Sequence, residues 1–243
     1  MNVLKESSLL KTLLAILLAG FLLLLSCSSP EKDDVIVRNV MIYDGSGGRG
    51  TIGDVAIRGD SIVAVGKWEG RSGKEEIDAT GLAAAPGFIN MLSWATESLI
   101  EDGRSQSDVR QGVTLEVFGE GWSMGPLNEA MKREMKERQG DIKFAVEWTT
   151  LGEYLVYLER RGISTNVASF VGATTVRIHE LGYADRAPSE EELGRMIELV
   201  RIAMKEGALG VGSSLIYAPA FYAKTDELVA LCSVAAAEGG GRR

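Results

Sequence analysis

Histidine and cysteine are nearly absent from this chain. Its 243 residues include one histidine, His179, and two cysteines, Cys27 and Cys232. No second histidine can join His179, so it reads as a loop residue at the surface. Cys232 lies in the apolar helical stretch 228–234 and reads as a buried, inert thiol. Cys27 is taken up by the N-terminal segment described next, so no disulfide framework is available. Basic residues are also in deficit. Lys and Arg total 26 against 34 Asp and Glu, a formal net charge of −8. There is no basic stripe and no cluster of Lys and Arg interleaved with aromatics, which argues against a nucleic-acid partner.

What is present begins with a targeting segment. Lys5 and Lys11 precede an apolar run at 13–25 that is short for a spanning helix. The run ends in Leu24-Leu25-Ser26-Cys27, the layout of a bacterial lipoprotein signal with Cys27 as the lipidated residue. A plain membrane anchor with an incidental cysteine is the other reading. Acyl chains would hold the membrane at about 0.8 kcal/mol per buried methylene. The expected location is exported and lipid-anchored, in the periplasm or at the cell surface. Ser28 is not Asp, so the usual inner-membrane retention signal is missing.

The expected organisation is a signal peptide at 1–26, a linker at 27–33, a small β domain at 34–81 and an α/β region at 82–243. In the β domain, residues 54–58 and 61–65 flank Gly59-Asp60 as a tight hairpin. Beyond Leu82, apolar strands are predicted at 83–91, 113–118, 166–171 and 208–213. They lack clean alternation, as strands covered on both faces do. Helices are predicted at 107–111, 127–137, 151–161, 190–205 and 225–236. Ser189 with Glu192 makes a capping box. Leu193, Met196, Ile197, Val200 and Met204 form a core-facing stripe at helical spacing. Repeated β-α units of this length imply a parallel sheet, open or closed into a barrel.

Several stretches carry a resemblance to a known family. They are 35–47, 53–66, 77–82, Pro86-Gly87-Phe88-Ile89, Gln111-Gly112-Val113-Thr114, 166–172 and 206–219. Together, and in this order, they resemble the N-acyl-D-amino-acid deacylases (D-aminoacylases) of the amidohydrolase superfamily. The resemblance implies an α/β fold: the N-terminal half of a TIM-type (β/α)8 barrel preceded by a small β-sandwich segment. It also implies hydrolysis of carbon–nitrogen bonds in linear, non-peptide amides, a small N-acylated amino acid as partner, and zinc as cofactor.

The departures from the family pattern are as informative. Where the family has Pro-Gly-Phe-Ile-Asp leading to His-x-His, this chain has Asn90, Leu92 and Trp94. Glu120 stands at the position of a zinc-binding cysteine, as a metal ligand or as a loop cap; a carboxylate there could still ligate zinc, at about 2.0–2.2 Å. Ala173 replaces the histidine of Val-Gly-His. Tyr217, in Leu215-Ile216-Tyr217-Ala218-Pro219, matches a substrate-binding tyrosine, or packs under the next helix. The family's Ser-His-x-Arg, a further zinc histidine and the catalytic aspartate have no counterparts, so no catalytic residue is assigned. The ending Gly240-Gly241-Arg242-Arg243 suggests a fragment boundary or frameshift, with a chain inactive alone. A non-catalytic barrel lipoprotein that lost its metal is the alternative. The lipid expectation is tested directly: Cys27→Ala should leave the precursor unprocessed and unlabelled by radioactive palmitate, and normal labelling would overturn it.

Overall fold

The computed structural model describes residues 32–239. The signal segment and Cys27 lie outside them. The chain divides into two compact units at Pro86/Gly87.

The first unit is a five-stranded sheet. Strands β1 (Asp33–Ile42), β2 (Thr51–Arg58), β3 (Ser61–Gly66) and β4 (Gly73–Asp78) run in the order β3-β2-β1-β4, and β5 (Ala83–Ala84) also pairs with β1. β2 and β3 are antiparallel across the Gly59-Asp60 turn, where the hairpin was expected. β1 carries a bulge between Val37 and Val40, and Asn39 sits there at φ 58°. A non-glycine residue at positive φ favours Asn because its short amide can bond locally. Here the Asn39 side-chain amide donates to Asp78 Oδ1 at 3.4 Å, and its backbone amide donates to Asp54 Oδ1 at 2.9 Å. Asp33, fully buried, is the acceptor for Arg71 Nε at 2.5 Å and Arg58 Nη2 at 3.0 Å. The Arg71 bond, against the cost of burial, holds the Asp33 carboxyl below its usual range.

Residues 83–91 do not form the single strand expected. Ala83 and Ala84 pair with Met41 and Ile42 of β1, and the second unit starts a new strand at Phe88. The division at Pro86 therefore falls later than the predicted 81/82, because backbone pairing to β1 claims the alanines. Pro86 offers no amide hydrogen with which to continue a ladder.

The second unit alternates strand and helix. Strand β6 (Phe88–Asn90) is followed by α1 (Ser98–Glu101), α2 (Gln106–Val109) and β7 (Val113–Phe118). Helices α3 (Glu129–Arg138) and α4 (Leu151–Arg161) lead to β8 (Asn166–Ser169) and β9 (Val171–Gly172). Then come α5 (Ala173–Leu181), α6 (Glu190–Lys205), β10 (Val211–Gly212), a 3-10 turn at Ala220–Tyr222, and α7 (Thr225–Gly239). β6-β7-β8 form one parallel ladder and β9-β10 another. Phe170 joins them: its amide bonds Phe118 O, while the Val171 amide bonds Gly210 O. One extended segment thus pairs first with β7 and then with β10. The strand order follows chain order, as successive β-α units give.

The predicted strands 113–118 and helices 151–161 and 190–205 match β7, α4 and α6 to the residue. The capping box of α6 is present, Glu192 N donating to Ser189 Oγ and Ser189 N to Glu192. Arg186 grips Glu192 through both oxygens at 2.7 Å; with the Ser189 amide it holds that carboxyl at about 2. A second capping box, Thr150 with Glu153, starts α4. Met196, Val200 and Met204 are buried, as the stripe predicts. Burying each is worth about 1.5–3 kcal/mol relative to exposure.

Three expectations are corrected. Cys232 is exposed, not buried. The buried stripe of α7 is Leu231, Val234 and Ala235 with Leu228 partly covered, and Cys232 falls outside it on the flank of the helix. His179 lies on helix α5, half-buried, not in a loop, with Nδ1 2.8 Å from Glu180 Oε1. Its helix went unpredicted because seven of the nine residues of Ala173–Leu181 are Thr, Val, Ile, Arg, His or Glu in no helical stripe, and seven of the nine are buried. Finally, β6 is not covered on both faces: Phe88 and Ile89 are 65% and 54% exposed, and among the described residues the strand also forms the edge of its ladder.

The core of this unit gathers Trp148 with Phe144, Tyr154 and Tyr157, at ring separations of 5.0–5.9 Å. Trp148 Nε1 donates to Met124 O at 2.6 Å, so the indole is buried without losing its hydrogen bond. Deeper still is an ion pair. Arg177 of α5 and Glu227 of α7 meet at 2.5 Å, both buried, and Arg177 Nη2 also donates to the carbonyls of Ala184 and Arg186. Removing one partner strands the other charge in an apolar setting. Arg177→Ala should therefore destabilise the fold by about 3–5 kcal/mol in urea unfolding. A change below 1 kcal/mol would show that α5 and α7 are not held this way.

Candidate functional site

The loops that follow the strands of a β-α sheet are where its sites are built. Four such loops bear the positions singled out by sequence. The loop after β6 carries Leu92, Ser93 and Trp94; the loop after β7 carries Glu120; α5 starts directly after β9 with Ala173; Tyr217 follows β10.

Backbone packing shapes the second loop. Gly119 and Gly121 adopt φ 93° and 135°, conformations open to glycine but strained for other residues. A Cβ on Gly119 would lie 2.2 Å from Phe170 O, and one on Gly121 would lie 2.9 Å from Ser214. The loop is thus pressed against the neighbouring strand ends, and Glu120, between two glycines, faces solvent. Beyond it Ser123 Oγ accepts from the Gly172 amide at 2.9 Å, and the Ser123 amide donates to Thr175 Oγ1 at 2.8 Å. The Thr174 amide bonds Gly121 O. These bonds lock the loop after β7 to the start of α5.

The predicted ligand and substrate positions do not converge on a metal centre. Leu92 and Trp94 are 52% and 66% exposed and offer no lone pair suited to zinc. Ala173 offers none either. Glu120 supplies one exposed carboxylate, and His179 is engaged with Glu180 on α5. Among the described residues there is no group of three His, Cys, Asp or Glu placed to hold a metal. The residues present therefore do not fit a zinc site by themselves. Tyr217 is 65% exposed, so the alternative of a tyrosine packed under the next helix does not hold.

The most constrained polar group here was not singled out by sequence. Glu116, inside β7, is fully buried. It accepts from Ser93 Oγ at 2.6 Å, Ser105 Oγ at 3.0 Å and Thr165 Oγ1 at 3.0 Å. Ser93 Oγ in turn accepts from the Ala95 amide at 3.2 Å. The carboxylate thus fixes the loop carrying Leu92 and Trp94. The signal available was a charged residue within an otherwise apolar strand, Val113-Thr114-Leu115-Glu116-Val117-Phe118, since a carboxylate there must find partners. Nearby, burial raises the Tyr154 phenol, whose hydroxyl donates to Thr96 O at 2.9 Å.

Comparison with known proteins places the chain. No protein-family model matches it. N-acyl-D-aspartate deacylase of Alcaligenes xylosoxydans xylosoxydans is 33% identical over 205 residues, 84% of this chain and 41% of the relative. D-aminoacylase of the same organism is 30% identical over 220 residues, 89% of this chain and 45% of its own length. A crystal structure of D-aminoacylase, which defines a subset of amidohydrolases, superposes with a TM-score of 0.74 at 29% identity, over 85% of this chain and 44% of that one. N-acyl-D-glutamate deacylase from Bordetella bronchiseptica, complexed with zinc and a phosphonate inhibitor, gives 0.75 at 26%. The sequential β-α units and this relationship place the chain in the amidohydrolase superfamily. Within that superfamily the chain belongs to the D-aminoacylase branch, with the strand-one His-x-His absent. It spans less than half the length of these relatives.

The two glutamates should behave oppositely on substitution. Glu116→Ala leaves the buried hydroxyls of Ser93 and Thr165 without their acceptor, and Ser105 with only Asp108 Oδ2 at 3.2 Å, and should cost about 3 kcal/mol in chemical denaturation. Glu120→Ala, at an exposed site, should stay within about 0.5 kcal/mol of the parent. Equal effects would contradict the geometry.

Proposed function

We propose that this chain is part of a hydrolase acting on carbon–nitrogen bonds of linear amides, with N-acyl-D-amino acids as the substrate class. The observation that carries the reading is the similarity, over more than four-fifths of the chain, to relatives named as deacylases of that class. On this reading the ladders β6-β7-β8 and β9-β10 are the first four strands of a TIM-type barrel, and the first unit belongs to its accompanying β-sandwich. The described residues contribute substrate-facing loops and not a metal set. Tyr217 would donate its hydroxyl to the substrate carboxylate. Glu120 would supply at most one oxygen to a single zinc, and no catalytic step is assigned to it. Lipidation at Cys27 would tether the protein to a bacterial membrane, a reading supported by the Leu-Leu-Ser-Cys run.

A second reading is a binding or scaffold lipoprotein that kept the fold without the metal. It is favoured by Leu92 and Trp94, exposed and apolar at the strand-one positions. Ligand-induced thermal shifts with N-acetyl-D-aspartate, N-acetyl-D-glutamate and their L enantiomers distinguish the two. The deacylase reading expects stabilisation by D forms over L forms. It also expects about tenfold or more weaker binding in Tyr217→Phe, the loss of a hydrogen bond to a charged group. No shift with any N-acyl amino acid would leave the scaffold reading in its place.

A further inference from the structure

We infer that the loops after β6 and β7 build an apolar subsite for the acyl group of an amide substrate. The inference rests on the deacylase reading for the name of the substrate, and on its own geometry for the site.

A cleft of about 430 Å³ opens beside these loops. That size lies within the range of small-molecule sites. Its apolar walls are Trp94 from the first loop, Trp122 and Met124 from the second, Met131 and Met135 from α3, and Ile142 beyond it. Two indoles and three thioethers give a broad, adaptable surface for alkyl chains, because methionine has flexible torsions and a polarizable sulfur. Trp94 also stands where the family pattern has its second strand-one histidine. The side chain that removes a metal ligand is the one that walls the cleft.

The charged groups of the cleft select the end of the ligand that enters. They are Glu97, Glu134 and Arg138. Arg138 is already committed: Nη2 lies 2.8 Å from Glu134 Oε1, and the guanidinium sits 5.9 Å above the Tyr183 ring. Glu134 also accepts from the Tyr183 hydroxyl at 2.6 Å. The balance is one cation against two carboxylates, with the cation paired. A substrate carboxylate would meet repulsion here, whereas an uncharged acyl tail would not. The acyl end therefore occupies the cleft and the amino-acid carboxylate lies outside it. The cleft favours medium-length alkyl chains over acetyl.

Tryptophan fluorescence of the purified protein tests this with three probes below their micelle concentrations: N-decanoyl-D-glutamate, N-acetyl-D-glutamate and decanamide. The decanoyl probes should give a saturable blue shift and bind at least tenfold more tightly than the acetyl one, the gain that about two buried methylenes provide. Trp94→Ala and Ile142→Asp, at an exposed and a half-buried loop position, should each weaken decanoyl binding tenfold with an unchanged melting curve. Equal affinity for the decanoyl and acetyl probes overturns the proposal. So does decanoyl binding untouched by both variants in a folded protein. If decanamide binds and is weakened by both variants while no N-acyl amino acid is preferred in its D form, the acyl cleft stands and the deacylase reading falls.

Discussion

A carboxylate buried in the middle of a parallel strand is costly unless its lone pairs are filled, and Glu116 fills them with three hydroxyls. The donors come from three places in the chain: Ser93 after β6, Ser105 ahead of α2, and Thr165 before β8. One side chain therefore sets the relation of three successive β-α units. It also sets the loop that follows β6, because Ser93 accepts the Ala95 amide with the same oxygen that it donates through. Everything attributed to Leu92 and Trp94 depends on that anchoring.

The same economy appears at the end of β7. Two glycines let the chain press against Phe170 and Ser214, and Ser123 and Thr175 tie it to α5. Glu120 is left pointing to solvent, held by backbone on either side and by nothing at its own carboxylate among the described residues. Trp122, only two residues on, joins Trp94 in the apolar cleft. Glu120 thus sits in a short bridge between a rigid strand end and an apolar wall. The chain keeps the family's scaffold while the chemistry at its strand-one positions has changed from imidazole to hydrocarbon and indole.

Much of this was legible in the sequence, and the reasons are specific. Capped, striped helices such as α4 and α6 declare themselves because cap, period and length agree. β7 is apolar apart from Thr114 and Glu116 and ends at glycine. The β2-β3 hairpin is marked by Gly59-Asp60. The family relationship was visible from short stretches in a fixed order. Helix α5 was not legible, since seven of its nine residues are buried and the two partly covered ones, His179 and Glu180, are adjacent, which leaves no polar stripe of helical period. The split of 83–91 into β5 and β6 was not legible either, since both halves are apolar and only the pairing partner differs. Cys232 was misjudged because the helix was read without knowing which of its faces is covered.

The sequence by itself determined the class of units, the family, and the missing ligands: Leu92, Trp94 and Ala173 cannot bind zinc in any fold, because their side chains lack the lone pairs. Tertiary structure alone decided the rest. Which charges are tolerated inside, as Glu116, Arg177 and Glu227 are, depends on partners 11 to 50 residues away in the chain. Whether Trp94 is mere surface or the wall of a cleft depends on α3 lying opposite it. Both are matters of distance between segments remote in sequence, and local composition carries no information about such distances.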